Sequence, residues 1–198
     1  MPRWDPDANV RLLQAAMELF TERGYEHVTV AEIAEHAGLT KRSFFRYFAD
    51  KREVLFAGSA EFQQSVVTGV LGAAETMPPI DAVVTSLAAA GGGLTSWGEP
   101  VRLRQQVIAT SAELRERELI KLADLTTAIA QALRQHGSDE LTASMTAHVG
   151  ITVFTIAFAR WTEPGPDLNF GELMHDSLNR LRQAISERTD EGHRHAGG

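Results

Sequence analysis

The 198-residue chain contains no cysteine, which excludes a disulfide framework, thiolate-bound metals and cysteine nucleophiles together and suits a reducing compartment. It also lacks an apolar run of bilayer length. The longest nearly apolar stretch, Val149 to Ala159, is interrupted by Thr152 and Thr155 and closed by Arg160, short of the ~20 residues that a spanning helix needs. A buried helix is expected there, with no membrane as partner. The opening MPRWDPDANV has no basic region followed by an apolar run, so no secretory signal is expected and the cytoplasm is the expected location. Catalytic signatures are missing as well: G-x-S-x-G, H-E-x-x-H, a Walker lysine loop and G-x-G-x-x-G do not occur. The glycines at 91 to 93 have no following lysine, and His193 and His195 stand in a polar tail. An enzyme, a cofactor and a metal site are therefore not expected.

Charge of one sign is scarce only globally. The net charge is −7, yet residues 40 to 52 hold Lys41, Arg42, Arg46, Lys51 and Arg52 against Asp50 alone, a window of +4 in a remainder of −11. An acidic whole can hide a local basic patch of this kind. Strand alternation is also missing, while apolar residues recur three and four apart, so the fold expected is all-α. About nine helices are expected.

Asp5 and Pro6 announce the first helix, whose stripe of Val10, Leu13, Met17 and Phe20 ends at Gly24. Thr29 and Glu32 form a capping box for a short second helix ended by Gly38, and Thr40 caps another over 41 to 48. Two short helices joined by a tight turn have helix-turn-helix spacing. Asp50 and Glu53 open a helix from Lys51 to about Thr76, stopped by Met77, Pro78 and Pro79, with Leu55, Phe62 and Val66 on one face. A shorter helix is expected over 81 to 90, followed by a glycine loop, GGGLTSWGEP. Helices over 100 to 109 and 112 to 135 are separated by a capping box of Thr110 and Glu113, the second carrying Leu119, Leu122, Thr126, Ile129 and Leu133 on one side. The last two, 139 to 162 and 170 to 187, are joined by the Pro-Gly-Pro turn at 164 to 166, and Asn169 and Glu172 cap the second. Their seams are Met145, Thr152, Ile156 and Ala159, and Phe170, Leu173, Ser177, Leu181 and Ile185. Such seams fit either a partner or the chain's own core. The tail from 189 to 198 is polar and expected to be disordered.

The segment KRSFFRYF, 41 to 48, gathers four of the fourteen aromatic residues. At 100° per residue Phe44 and Phe48 share one face, while Arg42, Ser43, Arg46 and Tyr47 point elsewhere. Phe44 and Phe48 are therefore anchors of a helix too short to persist by itself. The cations remain for a partner, most economically the DNA major groove, which admits a helix and offers guanine acceptors to arginine.

Phe20, Gly24, Tyr25, Thr29, Ile33, Ala34, Ala37, Gly38, the aromatic cluster, Tyr47, Phe48, Lys51 and Leu55 together resemble the TetR family of bacterial repressors over residues 8 to 56. The resemblance implies a helix-turn-helix DNA-binding domain at 1–49, a helical effector-binding and dimerisation domain at 50–188, and a homodimer joined through 139–162 and 170–187. It implies DNA-facing residues at Thr29, Thr40, Lys41, Arg42, Ser43, Phe45, Arg46, Tyr47 and Lys51. Lys41, Arg42 and Ser43 are the candidates for base edges, and Thr29, Arg46, Tyr47 and Lys51 for phosphates. Position 45 is usually a tyrosine with its hydroxyl on a phosphate; Phe45 has no hydroxyl and is expected to keep only a packing role. The function implied is that of a ligand-responsive repressor released from a palindromic operator on double-stranded DNA, acting at the bacterial nucleoid. A transcriptional activator, an architectural DNA binder of the same fold and a helical carrier without DNA binding are the alternatives. Candidates for the effector pocket are Phe62, Val66, Trp97, Gln106, Thr110, His148, Thr152 and Thr155, whose mostly apolar inventory favours a largely apolar small molecule.

Overall fold

The computed structural model describes residues 7–95, 98–163 and 168–194, with the backbone alone for 94, 95 and 187–194. Among the described residues the chain is helical and has no strand: α1 (Ala8–Arg23), α2 (Val30–His36), α3 (Lys41–Tyr47), α4 (Ser59–Ala73), α5 (Pro79–Thr95), α6 (Glu99–Thr110), α7 (Ala112–Gln135), α8 (Glu140–Thr162) and α9 (Phe170–Arg194). Two 3-10 turns, Tyr25–His27 and Arg52–Phe56, stand between α1 and α2 and between α3 and α4. The all-α fold with an N-terminal helix-turn-helix is thus observed. Asp5, Pro6, Trp97 and the Pro-Gly-Pro turn lie outside the described residues.

Contacts divide the chain into two units, Met1–Glu61 with Gly98–Ala123, and Phe62–Trp97 with Asp124–Gly198. This division does not follow the boundary expected at residue 49, because α6 and the first half of α7 pack with the N-terminal helices.

The first unit is built on α1. Its buried side is Ala8, Leu12, Ala15, Ala16, Leu19 and Phe20, rotated from the expected stripe; Val10 is exposed. Small alanines, which the hydrophobic pattern underweights, let α2, α6 and the Arg52–Phe56 turn approach α1 closely. The core they close includes Ile33, Phe44, Val54, Leu55, Ile108 and Leu114.

The expected helix from 51 to 76 is interrupted. Gly58 takes a φ of 82°, a left-handed conformation that suits glycine and ends the 3-10 turn before α4 begins. The expected loop at 91 to 93 is helical instead, because α5 continues through the glycines to Thr95. Gly91 is buried in α5, where a Cβ would run into the ring of Phe170. Glycine serves close packing there, not a turn.

In the second unit α5, α8 and α9 pack on one another. Gly150 of α8 likewise gives its Cβ space to Val83 of α5. The window of apolar character in α8 is longer than the eleven residues singled out by sequence. Its 23 residues include an 18-residue window of mean hydropathy 1.5, long and apolar enough to cross a membrane by length and composition. One side of it, with Ala143, Ala147, Gly150, Val153, Phe154, Ala157 and Trp161, is buried, as in a core helix. The other side, Leu141, Met145, His148, Thr152, Ile156 and Ala159, is exposed. The α9 seam faces inward: Phe170, Leu173 and Ser177 are buried and only Ile185 of the five is exposed. The backbone of α9 is helical to Arg194, past the expected end at Glu187 and into the expected tail.

Candidate nucleic-acid interface

The turn between α2 and α3 is fixed by hydrogen bonds at each end. Thr29 N and Oγ1 both donate to Glu32 Oε2, at 2.8 and 2.7 Å, and Glu32 N donates back to Thr29 Oγ1 at 3.3 Å. The Thr29 hydroxyl and amide, with Arg23 beside them, hold the Glu32 carboxyl down at a pKa of about 2. At the far end of α2, Gly38 takes a φ of 68° and Leu39 N donates to Ala34 O at 2.8 Å, closing the orphan carbonyls of the helix. Ser43 N then donates to Thr40 Oγ1 at 3.1 Å, which starts α3.

A seven-residue helix gains almost nothing from propensity, so α3 holds its shape by packing. Phe44 is fully buried and Phe48 nearly so, their ring centroids 5.4 Å apart. Lys41, Arg42, Phe45 and Arg46 are exposed and Ser43 and Tyr47 are half-buried. Anchors and cations therefore separate as the helical period requires.

The expected DNA-facing residues are not equivalent. The Thr29 hydroxyl proton is engaged with Glu32. Thr40 Oγ1 and Ser43 Oγ lie 3.0 Å apart and share one proton between them, which leaves the other hydroxyl proton for a further partner. Arg46 Nη2 donates to Tyr47 Oη at 2.8 Å and its guanidinium lies 4.9 Å from the Tyr47 ring centre. Lys51 is committed to the fold: Nζ donates to Tyr25 O at 2.7 Å and Val28 O at 3.0 Å, and lies 3.9 Å from the Tyr25 ring centre. One N–H of its three remains. Phe45 packs edge-on against Phe44, at 5.6 Å and 82°, while the rest of its ring is exposed, 49% of the residue in all.

Sequence reasoning missed what ties the Arg52–Phe56 turn and the Tyr25–His27 turn to α6 and α7. Asp50 Oδ1 accepts from Arg52 N at 2.8 Å and Glu53 N at 3.1 Å, and Asp50 Oδ2 pairs with the Arg52 guanidinium at 2.7 Å; the Arg52 side chain holds the Asp50 carboxyl below its usual range. Glu53 accepts from Arg117 Nε and from Lys121 Nζ, both on α7. Arg104 on α6 donates to Leu55 O and lies 5.0 Å from the Phe56 ring centre. Tyr25 Oη donates to Glu113 at 3.3 Å, and Ser111 Oγ to Glu26 at 3.0 Å. Burial first, and Glu113 second, push the Tyr25 phenol up. Apart from those of Asp50, these pairs lie 49 to 88 residues apart in sequence, which no local pattern reveals. The expected Thr110 cap is absent, because Thr110 Oγ1 donates to Val107 O of its own helix.

Residues 12–57 match the family described as bacterial regulatory proteins, tetR family, and residues 77–186, more than half of the chain, match the MftR C-terminal domain. The chain belongs to the TetR family. It accordingly has that family's fold, with an N-terminal helix-turn-helix domain and a helical C-terminal domain. TcmR, an HTH-type transcriptional regulator of Streptomyces glaucescens, is 52% identical over 44 residues, 22% of this chain and 20% of that protein. FasR, an HTH-type transcriptional activator of Mycolicibacterium smegmatis, is 36% identical over 66 residues, 33% of this chain and 30% of that protein. The chain thus covers well under half the length of these relatives. The crystal structure of Thermus thermophilus FadR, a TetR-family repressor in complex with lauroyl-CoA, superposes with a TM-score of 0.57 over 87% of this chain and 92% of that one, at 21% identity, a likeness of fold.

The described effector candidates of this TetR-family chain are divided between the two units. Val66 is fully buried and Phe62 half-buried, its ring 5.8 Å from that of Phe154. His148 and Thr152 stand on the exposed side of α8, and Thr155 is half-buried. One polar atom of each bonds within its own helix: His148 Nδ1 to Ser144 O, Thr152 Oγ1 to His148 O and Thr155 Oγ1 to Thr152 O, at 2.8 to 3.0 Å. Gln106 and Thr110 belong to the first unit and are exposed. The reading of these polar residues as members of a buried face is corrected, since helix back-bonding satisfies a threonine without any partner. What sequence reasoning missed is an aromatic group in the second unit. Phe158 stacks on Phe154 at 5.7 Å and on Trp161 at 6.0 Å, and Phe170 meets Phe154 edge-on at 5.8 Å.

Proposed function

We propose that this TetR-family chain is a homodimeric repressor that holds a palindromic operator with two copies of α3 and leaves it when a small, largely apolar effector binds the second unit. The observation that carries the reading is α3 itself, with Phe44 and Phe48 spent on the core, Arg42 and Arg46 exposed on the opposite side and Lys41 exposed beside the anchors. Lys41 and Arg42, with the remaining hydroxyl proton of the Thr40–Ser43 pair, read base edges. Arg46 and Tyr47 hold phosphates. Thr29 and Lys51 position the helix, with at most one donor of Lys51 left for DNA.

Dimerisation is supported by the exposed α8 stripe, where Leu141, Met145 and Ile156 are 68%, 61% and 51% exposed. A single small helix-turn-helix gains affinity chiefly from a second half-site. An apolar effector is supported by the aromatic group around Phe154, and FadR of the same fold holds lauroyl-CoA. The helices α4 and α7 each run from one unit into the other, so an effector that prefers one arrangement of them shifts the population bound to DNA by its differential affinity alone. Catalysis has no part in this scheme, and the site of action is the DNA of the cytoplasm. FasR is named an activator, so the sign of regulation follows from promoter geometry.

The test is selection of bound fragments from randomised duplex DNA by purified protein at two salt concentrations, with footprinting of the product. A palindrome with steep salt dependence is expected. Arg42→Ala then relaxes preference at one base pair, at about 1–3 kcal/mol. No enrichment at low salt, from protein that native mass spectrometry finds free of small molecules, overturns the reading.

A further inference from the structure

We infer that Phe45 reads the C5-methyl group of a thymine in the major groove and is a specificity-determining residue of the operator. The inference rests on α3 being the helix that enters the groove. Large apolar residues exposed on this chain, among those described, are Val10, Phe45, Leu119, Ile120, Leu141, Met145, Ile156, Leu168 and Ile185, and Phe45 is the aromatic one. It also differs from the others in its surroundings. On a helix Lys41 and Arg42 lie four and three positions before it and share its face, and Arg46 follows it. An isolated exposed apolar side chain on a surface needs no explanation. A half-exposed ring at the centre of a cationic stripe does, because that stripe is the surface that meets DNA.

A phosphate cannot be its partner, since the ring offers no donor. The partner must be apolar, and in the major groove the apolar feature that distinguishes one base pair from the others is the thymine methyl. The ring is also held in place. Phe44, itself fully buried, meets it edge-on at 5.6 Å, and Arg46 is drawn to Tyr47 instead of folding over Phe45. A position fixed by a core residue can discriminate between a methyl and a hydrogen.

Geometry also places the thymine. Side chains three apart on a helix stand about 5–6 Å from each other, and successive bases rise about 3.4 Å per strand. The thymine read by Phe45 therefore lies about one or two base pairs from the base pair read by Arg42.

Deoxyuridine in place of thymidine removes only that methyl. In the selected operator each thymine is replaced in turn and the affinity measured by fluorescence anisotropy, with the parent protein and with Phe45→Ala. For the parent, one position per half-site is expected to bind about fourfold more weakly, the loss of one buried methyl, and to lie within two base pairs of the one relaxed by Arg42→Ala. Phe45→Ala is expected to bind the thymine and uracil operators alike. Its fold is checked by circular dichroism, and the parent series stands alone if that variant does not fold. The inference is overturned if every uracil substitution leaves parent affinity unchanged, if no thymine lies within reach of the Arg42 position, or if Phe45→Ala keeps the same penalty. Failure to select any DNA instead overturns the recognition-helix reading and this inference with it, and it shows as absent enrichment, not as a flat uracil profile.

Discussion

Replacing Glu53 with glutamine tests how the Arg52–Phe56 turn is tied to α7. The Glu53 side chain is 19% exposed and accepts hydrogen bonds from Arg117 Nε and from Lys121 Nζ at 3.1 Å. Glutamine preserves the shape and one carbonyl oxygen, but it removes the charge and turns an amide donor toward a cation. A hydrogen bond to a charged group contributes about 1.5–3 kcal/mol. One such bond is lost and the other weakened, while both cations keep enough exposure to recruit water, so the net cost is about 2 kcal/mol. For a chain of this size each kcal/mol moves Tm by roughly 2–4 °C, and the expected drop is roughly 4–8 °C.

The pH dependence supplies a second readout. Burial pushes the Glu53 carboxyl up, but the bonds from Arg117 and Lys121 outweigh it and hold the pKa below the usual 4.5. A depressed folded-state pKa means a contribution present above the unfolded value and lost as pH falls through the folded one. Melting curves by circular dichroism should therefore show a constant gap between parent and Glu53→Gln at neutral pH, closing in acid as pH falls below the usual 4.5 and through the lowered folded-state value. A gap under about 1 °C at neutral pH, or one that persists unchanged in acid, refutes the clamp.

Three further outcomes follow from individual contacts. Gly91→Ala drives a methyl into the Phe170 ring and should cost about 1–3 kcal/mol, whereas Gly92→Ala and Gly93→Ala, whose added methyls meet nothing within 4 Å, should stabilise α5 by up to about 1 kcal/mol; equal melting temperatures for all three contradict this. Lys51→Met leaves the Tyr25 and Val28 carbonyls without their donor and should lower Tm while leaving the salt slope of DNA binding nearly unchanged; a slope reduced by about one identifies a phosphate contact instead. The Glu32 carboxyl should titrate by carbon NMR near pH 2, its capping contribution lost only as pH falls through that value, and Thr29→Ala should raise the midpoint toward the ordinary range and cost about 1 kcal/mol; an unshifted midpoint in the parent contradicts the capping box.

The parts of the fold legible in the sequence are those decided within a few residues. Thr29 with Glu32, Thr40 with Ser43, and Asp50 with Glu53 each close a loop of three residues, and their residue types announce it. Alternation of Phe44 and Phe48 with Arg42 and Arg46 likewise needed only the helical period. Illegible were the features decided by what arrives from far along the chain. The run of glycines at 91 to 93 reads as a loop until Phe170 is known to lie against it. The clamp on Glu53 needs two cations 64 and 68 residues away.

Direction is the other thing that periodicity withholds, and it decided the fate of the functional guesses. A period of 3.6 says that Met145, Thr152 and Ile156 share a face, and equally that Phe170, Leu173 and Ser177 do, without saying which face meets water. The first set points outward and the second inward, so of these two seams the one on α8 is the exposed one. For α3 direction was fixed by chemistry, because a helix cannot bury Arg42 and Arg46 unpaired while exposing Phe44 and Phe48. The same logic isolates Phe45. Its neighbours commit that side of the helix to an anion, and a ring that no local pairing withdraws from that side must find the apolar part of the same partner, which on a nucleic acid is the base edge.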